Sequence, residues 1–474
     1  MKINFLYVTL LSVLIFSCKG TTDPKPDPNP ADHVSTAKAG AQVVMPPTTT
    51  GTFLSLSDVH INGNMMATAF GNVSGTRLWK RAKTKIEEIV KLEQPKFMVY
   101  LGDLPAYIDV TRAQNSHIML QNLRSLNINI PILYLPGNND SLEGDYHSFA
   151  NGNNSTVLKK DTDANNPWPV INADAGSVKI TNLDFSDDFG YYSVDIVDGA
   201  NTLKVIALNT VIFSGKTDTS STGITHIAYN SKKNAAGQYV YGDDHISQQQ
   251  ATEKQMRWLE GTFKSLRKAD HVMIMMHIPI GLDGYGGKPM WNTALTYKDL
   301  AGNSHTLHDG FISLLAQYKA NITGLLNGHT HTDGLRRIYN TTRPPSGTAN
   351  NPKDMVSFSI STPGIAVNHD NNPAFKIFTY DSNTFSLLDF ETYFASPTKK
   401  IGSSVNNTDF VFMKDSSYTF NNVYEVTKAN TPMFTTLANE SDSEVVQHVN
   451  ETLGARSNQD VTLRHDDAVD VHKN

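Results

Sequence analysis

Five times along this chain an apolar run ends in residues that can hold a metal ion, and no other feature restricts the fold so tightly. The runs are Phe53-Leu54-Ser55-Leu56-Ser57-Asp58-Val59-His60, Phe97-Met98-Val99-Tyr100-Leu101-Gly102-Asp103-Leu104 and Ile130-Pro131-Ile132-Leu133-Tyr134-Leu135-Pro136-Gly137-Asn138-Asn139-Asp140. Two more follow, Val272-Met273-Ile274-Met275-Met276-His277-Ile278-Pro279 and Gly324-Leu325-Leu326-Asn327-Gly328-His329-Thr330-His331-Thr332-Asp333. Each reads as a buried strand opening into a turn. Helical spacing separates them. Leu78, Trp79, Ala82, Ile86, Ile89 and Val90 mark a helix over 78–92, and others are expected over 111–126, 249–266 and 311–318. Strand, helix, strand is the rhythm of an α/β protein, whose ligands gather beyond the carboxyl ends of the strands.

The remaining pattern is plainer. Residues 191–196 and 203–210 read as paired strands across the turn at 198–201. Residues 151–190 and 214–244 read as polar loops, and 354–393 as the closing strands of a second sheet. Residues 396–474 read as a polar extension, partly helical or disordered, with a mobile end of about twenty residues. At the other end, Lys2, the apolar stretch Phe5 to Phe16 and Ser17-Cys18 read as an export signal over 1–18, too short to span a bilayer. The chain's single cysteine, Cys18, stands where a bacterial lipoprotein signal places its lipidated residue. The alternative is a plain signal with an incidental cysteine. A Pro-, Asp- and Lys-rich tether over 19–50 would hold a folded body, 51–395, away from a membrane surface. The expected location is therefore extracytoplasmic and membrane-anchored. A net charge of −6 gives no basic footprint for nucleic acid.

Collected, the strand-end residues are Asp58, His60, Asp103, Asn138, His277, His329 and His331. With strand alternation Asp58 and His60 face one side, and His329 and His331 flank a single residue in a turn. Imidazoles, carboxylates and an amide oxygen together suit two borderline divalent ions, with Zn, Mn and Fe all tolerated. Phosphoester hydrolysis uses such a pair about 3.5–4 Å apart. One carboxylate must bridge them, and the isolated Asp103 is the natural candidate. A bridging water that loses its proton then serves as the nucleophile.

In order and content, Asp58-x-His60, Gly102-Asp103, Gly137-Asn138-x-Asp140, His277 and Gly328-His329-x-His331 resemble the calcineurin-like metallophosphoesterases, over roughly 51–395. The resemblance implies one metal on Asp58, His60 and His331, a second on Asn138, His277 and His329, and Asp103 between them. It implies two packed mixed β-sheets flanked by helices, a four-layer sandwich. Gly102-Asp103-Leu104-Pro105-Ala106, Leu208-Asn209-Thr210, Trp258-Leu259, His277-Ile278-Pro279 and Asn372-Pro373-Ala374-Phe375 through Tyr393 look like the acid sphingomyelinase-like phosphodiesterase branch.

Most members of the family carry histidine where this chain has Asn139, and sphingomyelinase-like members often carry another where it has Tyr107. An amide cannot protonate a leaving oxygen, and a phenol near pKa 10 does so poorly. The expected substrate is therefore a nucleotide, a polyphosphate or another phosphodiester or phosphoanhydride with a good leaving group. Asp140 is expected to orient Asn139 or nearby backbone, and His117 or His147 could supply a proton instead. Three alternatives stay open: a sphingomyelin-type lipid phosphodiesterase acting on a lipid headgroup, a metal-bound phosphate-ligand binding protein with little turnover, and a non-enzymatic surface adhesin that borrows the fold.

Overall fold

The apolar runs become the central strands of two sheets, because each can bury both of its faces. The computed structural model describes residues 50–65, 69–70, 73–142, 144–146, 169–185, 189–215, 229–233, 239–367, 371–400, 408–456 and 462–474. The export signal, Cys18, nearly all of the tether and His147 lie outside the described residues. Among the described residues no helix is long and apolar enough to cross a membrane.

In chain order the elements that build the body are β1 (Thr50–Leu56), α1 (Thr76–Glu93), β2 (Met98–Tyr100), α2 (Arg112–Arg124), β3 (Ile132–Tyr134) and β4 (Val170–Ile171). Next come β5 (Lys179–Phe185), β6 (Tyr192–Asp198), β7 (Asn201–Leu208), α3 (Gln248–Lys264), β8 (His271–Met276), α4 (Leu307–Gln317) and β9 (Ile322–Asn327). The chain closes with β10 (Gly334–Thr342), β11 (Met355–Ser361), β12 (Ala374–Asp381), β13 (Leu387–Lys400), β14 (Thr408–Thr419), α5 (Met433–Asn439), α6 (Asp442–Arg456) and β15 (Asp470–Lys473). The first sheet has the order β14-β13-β12-β1-β2-β3-β4, and the second β15-β10-β11-β9-β8-β7-β6-β5. Both are mixed: β1, β2 and β3 run parallel, as do β7, β8, β9 and β11, with antiparallel strands toward the edges.

Strand alternation sorts the side chains into layers. Met273 and Met275 of β8 join Phe53, Val99 and Leu133 in the core between the sheets. Val272, Ile274 and Met276 of the same strand face α3 and α4, against Leu259, Phe263, Phe311 and Leu315. On the far side Leu54, Leu56, Met98 and Ile132 pack on Leu78, Trp79 and Ile86 of α1 and Leu120 of α2. The result is the expected order of helices, sheet, sheet, helices.

Four expectations are corrected. The strands over 354–393 do not all close the second sheet: β11 joins it, whereas β12 and β13 extend the first sheet alongside β1. Residues 151–190 are not wholly loop, since β5 forms the edge of the second sheet. Its residues are almost all exposed, so it carries no alternating apolar signal. Residues 214–244 are not wholly loop either, since a two-stranded antiparallel sheet pairs Tyr229–Lys233 with Tyr239–Ile246. The polar tail is integrated, not mobile, over 462–474. There β15 pairs with β10, and Val469 and Val471 are buried. Arg337 of β10 fixes this arrangement, with Nε 2.7 Å from Asp470 Oδ1 and Nη2 2.6 Å from Asp442 Oδ1 at the start of α6.

Candidate metal centre

The ligand-type residues lie just beyond the strands, not on them. β1 stops at Leu56, β2 at Tyr100 and β9 at Asn327. Asp58, His60, Asp103, His329 and His331 then take left-handed backbone, with φ of 49°, 44°, 62°, 70° and 58°. Non-glycine residues rarely adopt that region, and a cluster of them marks a functional turn. So Asp58 and His60 converge through this turn geometry, which replaces the strand alternation expected from the sequence. Close packing also requires glycine here. A Cβ on Gly137 would stand 2.8 Å from His277 Cε1, and one on Gly328 would stand 2.9 Å from Asp58 Oδ2.

All seven ligand-type residues come together at the carboxyl ends of the two sheets. His60 Nε2 and His331 Nε2 face each other at 3.1 Å. His331 Nε2 is 3.4 Å from Asp58 Oδ1, and His60 Nε2 is 3.8 Å from the same oxygen. A second group forms where Asn138 Oδ1 lies 3.0 Å from His277 Nε2 and 2.9 Å from His329 Nδ1. Between the groups, Asp103 Oδ2 is 3.4 Å from both His60 Nε2 and His277 Nε2. Asp58, Asp103, His60 and His277 are all fully or almost fully buried.

Tautomers follow from the outer hydrogen bonds. His60 Nδ1 donates to Pro105 O at 3.0 Å, His277 Nδ1 to Leu101 O at 2.6 Å, and His331 Nδ1 to Ala366 O at 3.4 Å. Each ring's Nε2 therefore presents a lone pair inward when the ring is neutral. Two inward lone pairs at 3.1 Å repel unless a proton or a metal cation lies between them. Asp58 Oδ1 is buried with no hydrogen-bond partner, while its Oδ2 accepts from Ser57 Oγ and from the His329 N–H at 3.0 Å. The orphaned Asp58 Oδ1 beside two imidazole nitrogens fits a cation, and the Asp58–His60–His331 and Asp58–Asp103–His277 groups are each compact enough to hold one.

Electrostatics agree. Burial alone would raise the Asp58 pKa, but His331, His60 and His277 outweigh it and hold it at about 2. Burial opposes the charge on Asp103 too, and His277 and His60 hold its pKa far down. Burial disfavours a charged His277, yet Asp103 and Asp58 draw a proton onto it and lift its pKa to about 10. Burial, with His277 nearby, pushes His329 down to about 3, and burial pushes His331 to about 4. Both stay neutral imidazoles, the form that ligates.

The other expected residues take distinct places. Asn139 lies behind Asp103: its N–H and Nδ2 donate to the two carboxylate oxygens at 2.8 and 3.1 Å. Asp140 accepts from the N–H groups of Gly137, Asp103 and Leu104 at 2.6–2.8 Å, so it ties two ligand turns together. Burial and the Asp103 charge raise its pKa to about 6. Tyr107 is half-exposed, stacks on His60 at 4.3 Å between centroids, and sets its hydroxyl 3.1 Å from His60 Nε2 and 3.4 Å from His331 Nε2. His117 sits on α2 with Nε2 2.8 Å from Gln121 Nε2.

Residues 51–333, more than half of the chain, match the family model of the calcineurin-like phosphoesterases. The chain belongs to this family. Among relatives, this calcineurin-like phosphoesterase is 23% identical over 317 residues to the cyclic GMP-AMP phosphodiesterase SMPDL3A of Rattus norvegicus, covering 65% of this chain and 58% of that one. It is 24% identical over 307 residues to the sphingomyelinase phosphodiesterase D of Dictyostelium discoideum, covering 64% and 56%. To the human acid sphingomyelinase-like phosphodiesterase 3b it is 29% identical over 142 residues, covering 30% and 29%. The matched region thus spans less than two thirds of these relatives. Among solved structures, a dimetal phosphatase from Danio rerio aligns over 72% of this chain and 95% of its own, at 12% identity and a TM-score of 0.37.

Sequence reasoning missed three supports of the site. Arg112, buried on α2, donates from Nη1 to Asn139 O at 2.6 Å and to its Oδ1 at 3.3 Å. Asp145 accepts from Asn138 Nδ2 at 2.7 Å. The segment 364–366 carries the carbonyl that receives His331, and the Asn372-Pro373-Ala374 stretch secures it through the Ala374 N–H to Gly364 O bond at 3.1 Å. Only the last had a signal in the sequence.

Proposed function

We propose that this chain is a two-metal phosphoesterase of the phosphodiesterase type. Its proposed substrate is an extracytoplasmic nucleotide, a polyphosphate or another ester or anhydride with a good leaving group. The observation that carries the reading is the place of Asp103, whose Oδ2 is equally close to one histidine of each ligand group. Asp58, His60 and His331 would hold one divalent ion, Asn138, His277 and His329 the other, and Asp103 would touch both. Bound there, such ions neutralise phosphoryl oxygens and lower the pKa of water.

The protein's own contribution is placement. Asn139 and Arg112 lock Asp103 from behind, and the amide at position 139 is thereby committed to a carboxylate instead of facing a leaving oxygen. The Tyr107 hydroxyl lies against the His60 and His331 Nε2 atoms, and a phenol, with an ordinary pKa near 10, is a poor general acid at neutral pH. Both facts favour a leaving group that departs without full protonation. Relatives named for cyclic GMP-AMP support a nucleotide, and those named for sphingomyelin keep a lipid headgroup as the second reading.

The test is hydrolysis of ATP, polyphosphate, a cyclic dinucleotide and sphingomyelin by the purified chain with Mn²⁺ or Zn²⁺, beside an Asp103→Ala control. Cleavage of ATP or polyphosphate, lost in the control, supports the proposal, and cleavage of the cyclic dinucleotide, whose leaving group is a ribose alkoxide, supports only its nucleotide part. Cleavage of sphingomyelin or the cyclic dinucleotide, each of which expels an alkoxide, without cleavage of ATP or polyphosphate sinks the leaving-group argument. Silence on all four with metal still bound replaces it with the phosphate-binding reading. The membrane tether rests on the signal ending at Cys18. Cys18→Ala should release the protein from the membrane fraction, and unchanged partition would discard the anchor.

A further inference from the structure

An asparagine ligand has a problem that histidine and aspartate ligands do not. Its two terminal atoms are nearly the same size, but only the oxygen can bind a cation. An unrestrained Asn138 amide could turn its NH₂ toward His277 and His329 and close the second group of ligands. In this chain Asn138 is buried, and its Nδ2 meets Asp145 Oδ1 at 2.7 Å. An ionised carboxylate only accepts hydrogen bonds, so this contact admits one orientation, with the oxygen toward His277 Nε2 and His329 Nδ1. The short segment between them is also fixed at its end, where the Tyr146 N–H donates to Asn138 O at 2.7 Å. Tyr146 adopts φ 59° there, and its ring meets His329 edge-on.

We propose that Asp145 is a positioning residue that selects the metal-binding orientation of the Asn138 amide and so sets affinity at the second ion site. The inference rests on the two-metal reading above and deepens it. Outer partners of metal ligands typically change affinity by about 10–100-fold when removed.

The experiment is Mn²⁺ titration by calorimetry, with metal content measured after desalting, on the full chain and its variants. Wild type should bind two ions. Asp145→Ala should weaken one of the two by at least about tenfold and leave the other unchanged. Asp145→Asn, whose amide can donate as well as accept, no longer enforces one orientation and should weaken the same ion as Asp145→Ala does. Asn138→Asp has two equivalent oxygens and needs no orientation, so Asp145→Ala should no longer weaken binding in that background. Circular dichroism of each variant establishes that it is folded. Equal Mn²⁺ affinity in wild type and Asp145→Ala overturns the proposal alone. So does an Asp145→Ala change that still weakens one ion at least about tenfold in the Asn138→Asp background, which would make charge or packing rather than amide orientation the cause. A wild-type chain that takes up one ion or none overturns the two-metal reading and the proposal with it.

Discussion

Lys376 is a fully buried lysine on the inter-sheet face of β12, between Ala374 and Phe378 of the core. Its Nζ lies 2.7 Å from Asp333 Oδ2 and 2.6 Å from Thr392 Oγ1, and 3.5 Å above the ring of Phe390. Asp333 follows the His329-x-His331 turn by two residues. It also accepts from the Gly334 N–H at 2.9 Å and from the hydroxyls of Thr392 and Tyr418. Breaking a buried ion pair by deleting one partner costs about 3–5 kcal/mol, whereas replacing both with apolar groups is often near neutral. The two single deletions should differ. Lys376→Met leaves Asp333 its backbone and hydroxyl donors, which places its loss near about 3 kcal/mol. Asp333→Leu takes the carboxylate away from a fully buried ammonium whose other neighbours include only neutral groups such as the Thr392 hydroxyl and the rings of Phe390 and Tyr418, which places its loss at about 5 kcal/mol. The double variant should lose no more than about 2 kcal/mol, giving a coupling energy of several kcal/mol. Urea unfolding followed by tryptophan fluorescence measures all three. Single losses below about 1 kcal/mol, or a double loss equal to their sum, would refute the reasoning.

Asp103→Ala should lower turnover of any accepted phosphoester by at least about 10³-fold and reduce bound Mn²⁺, as read by initial rates and metal analysis. Arg337→Met should leave Asp470 buried without its guanidinium, cost about 3–5 kcal/mol, and speed amide exchange in β15, where hydrogen-exchange mass spectrometry would show it. Burial raises the Asp389 carboxyl from its ordinary 3.8 to about 7. Between those values the folded state binds more protons than the unfolded chain, so this group's contribution falls as pH rises from about 4 through 7. Asp389→Asn should abolish that slope, and urea midpoints at pH 5 and pH 8 that shift equally in both proteins would contradict it. Asp140→Ala frees three backbone N–H groups at once and should lower kcat far more than it raises KM, a split that steady-state kinetics resolves.

The fold was legible where burial leaves a pattern. Runs such as Val272 to Met276 are apolar at every position because both faces of β8 are covered, and that signal survives in one sequence. β5 left none, since an exposed edge strand has no buried face to mark. The division of strands between the sheets was also hidden: β12 and β13 are as apolar as β11, and nothing local says which sheet will accept them. At the site, the ligand-type residues announced themselves because few other roles put Asp-x-His and His-x-His after apolar runs. Arg112 and Asp145 reach the site by hydrogen bonds to Asn139 and Asn138 from a helix and a polar loop, and their neighbours in sequence are ordinary. The geometry of Asp58 and His60 was misread for a related reason: left-handed backbone at a non-glycine residue is imposed by its surroundings, not encoded by residue type.

The same seam explains why stability and chemistry are bound together here. Asp58, His60, Asp103 and Asn138 follow strands of the first sheet, and His277, His329 and His331 follow strands of the second. Neither sheet carries a complete ligand group, because the Asp58 group needs His331 and the Asn138 group needs His277 and His329. The centre is therefore assembled only when the sheets pack at the correct offset. A sheet-on-sheet core of side chains such as Val99, Leu133, Met273 and Leu326 is attractive at many offsets, since dispersion and apolar burial are weakly directional. The Lys376–Asp333 pair crosses the same seam, joining β12 of the first sheet to the residue that opens β10 of the second. A one-residue slip would separate those charges in a dry interior, at a cost of several kcal/mol that the apolar contacts could not recover. The buried pair thus fixes the register on which convergence of the ligands depends. On this account its loss should loosen the metal centre even in molecules that remain folded.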